Sequence, residues 1–134
     1  MKLYLAAAYR MAPLMNQHAI RLASLGHVIT SRWHAQASAA LDACILDERL
    51  AHTATQIAQH DLDDITRADA LLLFAQPGLP QRGGKHFETG YAYAIGKHVA
   101  VIGGIELLFH RLPGIALYAD LEAWIQAHYQ KGQV

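Results

Sequence analysis

Cysteine is nearly absent. Cys44 is the single one in 134 residues, so no disulfide can form within the chain. Such thiol usage fits a reducing compartment and gives a cytoplasmic expectation. Net charge is absent as well, because Lys plus Arg and Asp plus Glu each number 11. A general binder of nucleic acid or of an anionic membrane surface carries a basic excess, so neither partner is expected. Long apolar runs are also missing. The N-terminal run Leu3 to Ala8 is too short to span a bilayer and reads as a strand rather than a signal segment. Nine histidines are present, yet no two of them are four residues apart, the spacing of a helical zinc pair. No metal site is expected.

What the chain does have is apolar residues, 53% of the total, enough for one core in one domain spanning residues 1–134. Leu3 to Ala8 is apolar enough to be buried on both faces. Pro13 suits the start of a helix, Leu14, His18, Leu22 and Leu25 follow at helical spacing, and Gly26 closes it. His27 to Thr30 reads as a second strand. A long helix runs from about Ile45 to Arg67. Strands follow at Ala70 to Phe74, His98 to Ile102 and Ile115 to Tyr118. Asp120 is an N-cap for a last helix that packs through Leu121, Trp124, Ile125 and His128. Alternating strands and helices with short connections predict an α/β three-layer sandwich of flavodoxin-like type. Its five-stranded parallel sheet has the order 2-1-3-4-5. The crevice of such a sheet lies between strands one and three, at their C-terminal ends. Ala7-Ala8-Tyr9-Arg10 and Gln76 to Glu88 open there, so Tyr9, Arg10 and Glu88 are expected to converge.

The stretch Arg82 to Lys97 organises the rest. Two glycines precede a helix in which Glu88 is followed by Tyr91, Ala92 and Ile95 on the same face. The spacing puts Glu88 in the first turn, facing the sheet, where burial and the helix dipole act together on a preorganised carboxylate. A nucleophile needs that environment, whereas a first-turn Glu on a solvated face would be a capping residue. Asp61 falls on the apolar stripe Leu50, Ala54, Ile57, Asp61, Ile65, where Asp is seldom left unpaired. It either caps a neighbouring backbone or hydrogen-bonds a ligand. Asp63 faces solvent, and Asp64 lies near Asp61 in angle. Ser31-Arg32-Trp33-His34 follows the second strand, and Trp33 there covers the core edge or meets a ligand.

These residues resemble the nucleoside 2-deoxyribosyltransferase family, which includes the 2′-deoxynucleoside 5′-monophosphate N-glycosidases. The resemblance rests on Glu88-Thr-Gly-Tyr-Ala-Tyr-Ala-Ile-Gly-Lys97, on Ala68-Asp69 before strand three, and on the strand-one loop. It runs from Leu3 to about Trp124. It implies a flavodoxin-like fold, no cofactor, and a nucleoside or nucleotide as small-molecule substrate. Glu88 is then the nucleophile at C1′, Asp61 holds the sugar and assists, and Tyr9 belongs to the catalytic group. Ala7, Arg10, Arg32, Trp33, Gly84, Arg82 and Lys85 line the substrate. The family pattern has Gly and Ser where this chain has Ala7-Ala8, and Ser where it has Arg82. Arg10, Arg82 and Lys85 therefore stand in for a hydroxyl phosphate cradle. The resemblance also implies a homodimer or larger assembly, with Phe109-His110-Arg111 as the contact. A nucleotide-sensing module using the same crevice is the rival reading. An electron carrier is disfavoured, since no Ser/Thr-rich phosphate loop follows strand one.

Overall fold

The computed structural model describes residues 1–38, 47–80 and 82–129. Cys44 and the beginning of the long predicted helix lie outside the described residues. Within them run β1 (Lys2–Ala6), α1 (Ala12–Ser24), β2 (Val28–Ile29), α2 (Trp33–Gln36), α3 (Ala51–Arg67), β3 (Ala70–Phe74), α4 (Gly84–Ala94), β4 (His98–Ile102), β5 (Ile115–Tyr118) and α5 (Leu121–Ala127). Short 3₁₀ turns stand at Tyr9–Met11, Glu48–Leu50 and Leu108–Arg111. The five strands form one parallel sheet in the order β2-β1-β3-β4-β5.

Strand alternation assigns the two faces. Leu3 and Leu5 of β1 join Met15, Leu22, Leu72 and Trp124 in the core under α1 and α5. Tyr4 and Ala6 point the other way, with Ile65, Leu71, Leu73 and Ala92, under α3 and α4. Each such fully buried large side chain contributes roughly 1.5–3 kcal/mol of transfer free energy. On α1 the inward residues are Ala12, Met15 and Leu22, while Leu14 and Leu25 of the predicted stripe are exposed. β1 ends at Ala6, two residues earlier than its apolar run suggests, because Tyr9–Met11 already turns.

Two glycines shape the C-terminal edge of the sheet. Gly83 has φ +92° and begins α4 from the left-handed region, which side chains disfavour. Gly103 has φ +101°, and a Cβ there would stand 3.0 Å from the Ala75 carbonyl oxygen. The ends of β3 and β4 therefore approach one another through bare backbone. No helix among the described residues is long and apolar enough to cross a membrane.

Candidate active site

Glu88 is the fifth residue of α4, not part of its first turn, because the helix begins at Gly84. The dipole argument for a charged carboxylate therefore weakens, since that field fades within the first turn. Burial dominates instead. It pushes the Glu88 carboxyl up to about 8, Asp61 and Asp64 push the same way, and a hydrogen bond from Tyr4 opposes them. That bond is short and runs from the Tyr4 hydroxyl to Glu88 Oε2. Tyr4 comes from the middle of β1 and is fully buried. Its own ionisation is strongly disfavoured, by burial first and then by Glu88, so it stays a phenol and a donor.

Asp61 is half-buried on α3. Burial and Asp64 raise its pKa to about 6, and Arg32 draws it back. Asp61 also acts on both Glu88 and Tyr4. The two carboxylates expected from the sequence thus share one electrostatic environment, together with Tyr4, whose place in an apolar strand gives no sign of this role. Between about pH 6 and about 8 the Asp61 and Glu88 carboxyls hold one proton between them.

The remaining predicted residues divide. Tyr9 does not supply the phenol on Glu88: its hydroxyl accepts from the Ser38 N–H at 2.9 Å and donates to the Ser38 carbonyl at 3.2 Å. Its ring lies 6.1 Å from that of Trp33, the planes inclined by 31°. The Trp33 indole N–H donates to the Leu5 carbonyl at 2.7 Å, so this tryptophan also fixes the end of β1. Ala7 is buried beside them. Arg10 bridges the two loops that were expected to meet, donating to the Pro80 carbonyl at 3.0 Å and to Gln76 Oε1 at 2.9 Å. Arg32 is bound to the fully buried Asp64, through its backbone N–H at 3.2 Å and its Nη2 at 2.8 Å.

Lys85 departs from expectation. The sequence makes it a cation facing the crevice, but its ammonium is buried and donates to Glu106 Oε1 at 2.7 Å. An aliphatic stem on the inner face of α4 carries it toward the β4–β5 connection, where a carboxylate compensates the desolvated charge. Arg82 and Gly84 are exposed at the turn into α4. Arg82 lines a cleft of about 410 Å³ with Leu79, Gly83 and His86 on one side and Ile105 and Glu106 on the other. His110 does not present itself to a neighbour with Phe109. It is buried, and its Nδ1 accepts from the Glu106 N–H at 3.1 Å. Among the described residues, no three His, Cys, Asp or Glu side chains cluster as a metal site.

Among solved structures, the chain is similar to the CMP N-glycosidase BcmB of Clostridium botulinum. The identity is 19%, the match covers 95% of this chain and 97% of that one, and the TM-score is 0.60. At this identity the likeness concerns the fold. No protein-family model matches the chain, and no curated protein matches it.

Proposed function

We propose that this protein cleaves the N-glycosidic bond of nucleoside 5′-monophosphates, with Glu88 as the nucleophile. The observation that carries the reading is the hydrogen bond from the fully buried Tyr4 of β1 to the half-buried Glu88 of α4, on one face of a flavodoxin-like sheet. A half-buried carboxylate held by a neutral, fully buried phenol is expensive as a structural element and apt as a reactive one. The fold shared with a CMP N-glycosidase supports it.

In this reading Glu88 attacks C1′ through an oxocarbenium-like state, and the C1′–N bond breaks with its electron pair staying on the base. Tyr4 aligns the carboxylate. Asp61, whose pKa is raised to about 6, is the acid for the departing base; because Glu88 stands higher, at about 8, the reacting form is the minor one in which their shared proton sits on Asp61 and Glu88 is ionised. Asp64 is unsuited to that task, because Arg32 and Arg67 both hold its carboxylate. Water then opens the glycosyl ester, releasing the sugar phosphate and restoring Glu88; a second base in place of water would make the reaction a transfer.

The test is product analysis. The purified protein is incubated with a panel of nucleosides and their 5′-monophosphates, with and without a free acceptor base, and bases are separated by liquid chromatography. Base release from monophosphates that disappears in Glu88→Ala is the expected result. A protein that binds these nucleotides but releases no base would favour the sensing module instead.

A further inference from the structure

Past Leu3 and Ile29 the pairing of β1 with β2 ends, and the backbone of Leu5 is met by side chains. Its N–H donates to Ser31 Oγ at 3.1 Å, and its carbonyl accepts from the Trp33 indole N–H at 2.7 Å. Ser31 Oγ lies 2.8 Å from His34 Nε2, and His34 Nδ1 lies 2.7 Å from Asn16 Oδ1 on α1. The direction of this chain is fixed. A carbonyl can only accept, so Asn16 Nδ2 donates to the His34 carbonyl at 3.0 Å. Asn16 Oδ1 therefore accepts, and His34 Nδ1 carries the proton. In the neutral ring Nε2 is then a lone pair, and the Ser31 hydroxyl donates to it. A hydroxyl, an imidazole and an amide in line also describe a nucleophile, its base and an orienter. This serine is 5% exposed and its oxygen already takes a backbone N–H, so the chain holds structure.

The chain works in one protonation state. A second proton on His34 makes Nε2 a donor aimed at Ser31 Oγ, and the Ser31 hydroxyl loses its acceptor. The ring is buried, and as an imidazolium it would touch no carboxylate among the described residues. Facing it are the Asn16 amide from α1, the Leu5 backbone of β1 through Ser31, and the Trp33 ring, edge-on with centroids 5.4 Å apart. The charge that acts on it comes from Asp64 of α3, itself held by Arg32 and Arg67. Burial lowers the His34 pKa, and Asp64 opposes the change without reversing it.

We propose that Asn16, His34 and Ser31 form an acid-sensitive latch on the open edge of β1: neutral His34 holds Ser31 against Leu5, and protonated His34 lets it go. Release also loosens Trp33, which is anchored on the same residue. A histidine whose pKa is lowered in the closed form stabilises that form fully above its ordinary value, about 6.5, and less as the pH falls. With protonation confined to the open form, the opening equilibrium rises about thirtyfold between about pH 7.5 and about pH 5.

The experiment is amide hydrogen exchange followed by NMR at those two pH values, corrected for the intrinsic exchange rate. Protection at Leu5 should fall by about tenfold on acidification, within that thirtyfold limit, while Leu72 in the middle of the sheet keeps its protection. In His34→Gln, which cannot take up the proton, Leu5 should show no pH dependence. Unchanged Leu5 protection in the wild type overturns the latch. An equal fall in His34→Gln, or a parallel fall at Leu72, overturns it too, since the acid then acts elsewhere or on the whole fold. If His34→Gln fails to fold, the ring-nitrogen chemical shifts of the wild type decide. The latch requires a proton on Nδ1 at neutral pH and a titration of His34 in step with the exposure of Leu5. A proton on Nε2 instead overturns it.

Discussion

The Tyr4 hydroxyl donates its hydrogen bond to Glu88 across 84 positions of sequence, from the middle of a strand to the second turn of a helix. This bond is the main force opposing burial, which otherwise favours the protonated carboxyl. Tyr4→Phe keeps the ring and its packing but removes the donor. The Glu88 carboxyl should then take up its proton more strongly, and base release near neutral pH should fall by about 10²-fold, the lower range for a positioned proton-transfer or hydrogen-bonding group. Steady-state kinetics with thermal unfolding as the folding control checks this. A variant as fast as the wild type would remove Tyr4 from the reaction.

The pH profile follows from two raised carboxyls. Below about 6 both Asp61 and Glu88 are protonated and no nucleophile exists; above about 8 both are ionised and the acid for the base is gone. Activity as kcat/KM should therefore be bell-shaped, with its limbs near these values. In Asp61→Asn the alkaline limb should vanish. The rise in activity should then follow the Glu88 carboxyl alone, somewhat below about 8, because burial still raises it and only the contribution of the Asp61 charge is lost. A profile in Asp61→Asn that keeps both limbs in place, at reduced height, would assign the acid to another group.

Arg82 decides whether the 5′-phosphate matters. A monophosphate carries close to two negative charges, and each charge-assisted contact with it contributes roughly 1.5–3 kcal/mol. The wild type should prefer a nucleotide over its nucleoside, and Arg82→Ala should cut that preference by about tenfold or more, with little effect on the nucleoside. Equal kcat/KM for the two substrates in the wild type would point to a nucleoside as the substrate instead.

Lys85 should matter for stability instead. Lys85→Met strands the nearly buried Glu106 carboxylate. Losing one partner of such a pair costs about 3–5 kcal/mol, while replacing both with apolar residues ranges from neutral to stabilising. Chemical denaturation should thus show Lys85→Met far weaker than the wild type, and Lys85→Met with Glu106→Leu close to it. A single variant as stable as the wild type would show the pair to be dispensable.

Much of the fold was legible because apolar runs and glycines mark it plainly: β3, β4 and β5 begin and end where their runs do. Glu88 was legible as an inward carboxylate, but its turn was not, since Gly83-Gly84 fits either side of a helix start. Tyr4 was missed because a tyrosine in Leu3 to Ala8 reads as ordinary core. The signal available was its hydroxyl, which needs a partner when it is buried. On α3 the stripe pointed to Asp61, whereas the most deeply buried carboxylate is Asp64. The stripe fixes a face and not a depth, and depth there is set by Arg32 and Arg67. Lys85 looked like a phosphate ligand because its partner, Glu106, lies in another loop that local spacing does not reach.

The shortness of β2 has a consequence for how the chain behaves in company. Its pairing with β1 ends at Leu3 and Ile29, which leaves the next stretch of an apolar strand without a neighbour on that side. Side chains fill in for the missing strand: Ser31 Oγ accepts the Leu5 N–H at 3.1 Å, and the Trp33 indole covers the Leu5 carbonyl at 2.7 Å. Bare backbone on an apolar strand invites a strand from another molecule. Ser31 and Trp33 therefore guard the molecule against its own copies, and losing them would first be seen as turbidity in a concentrated sample.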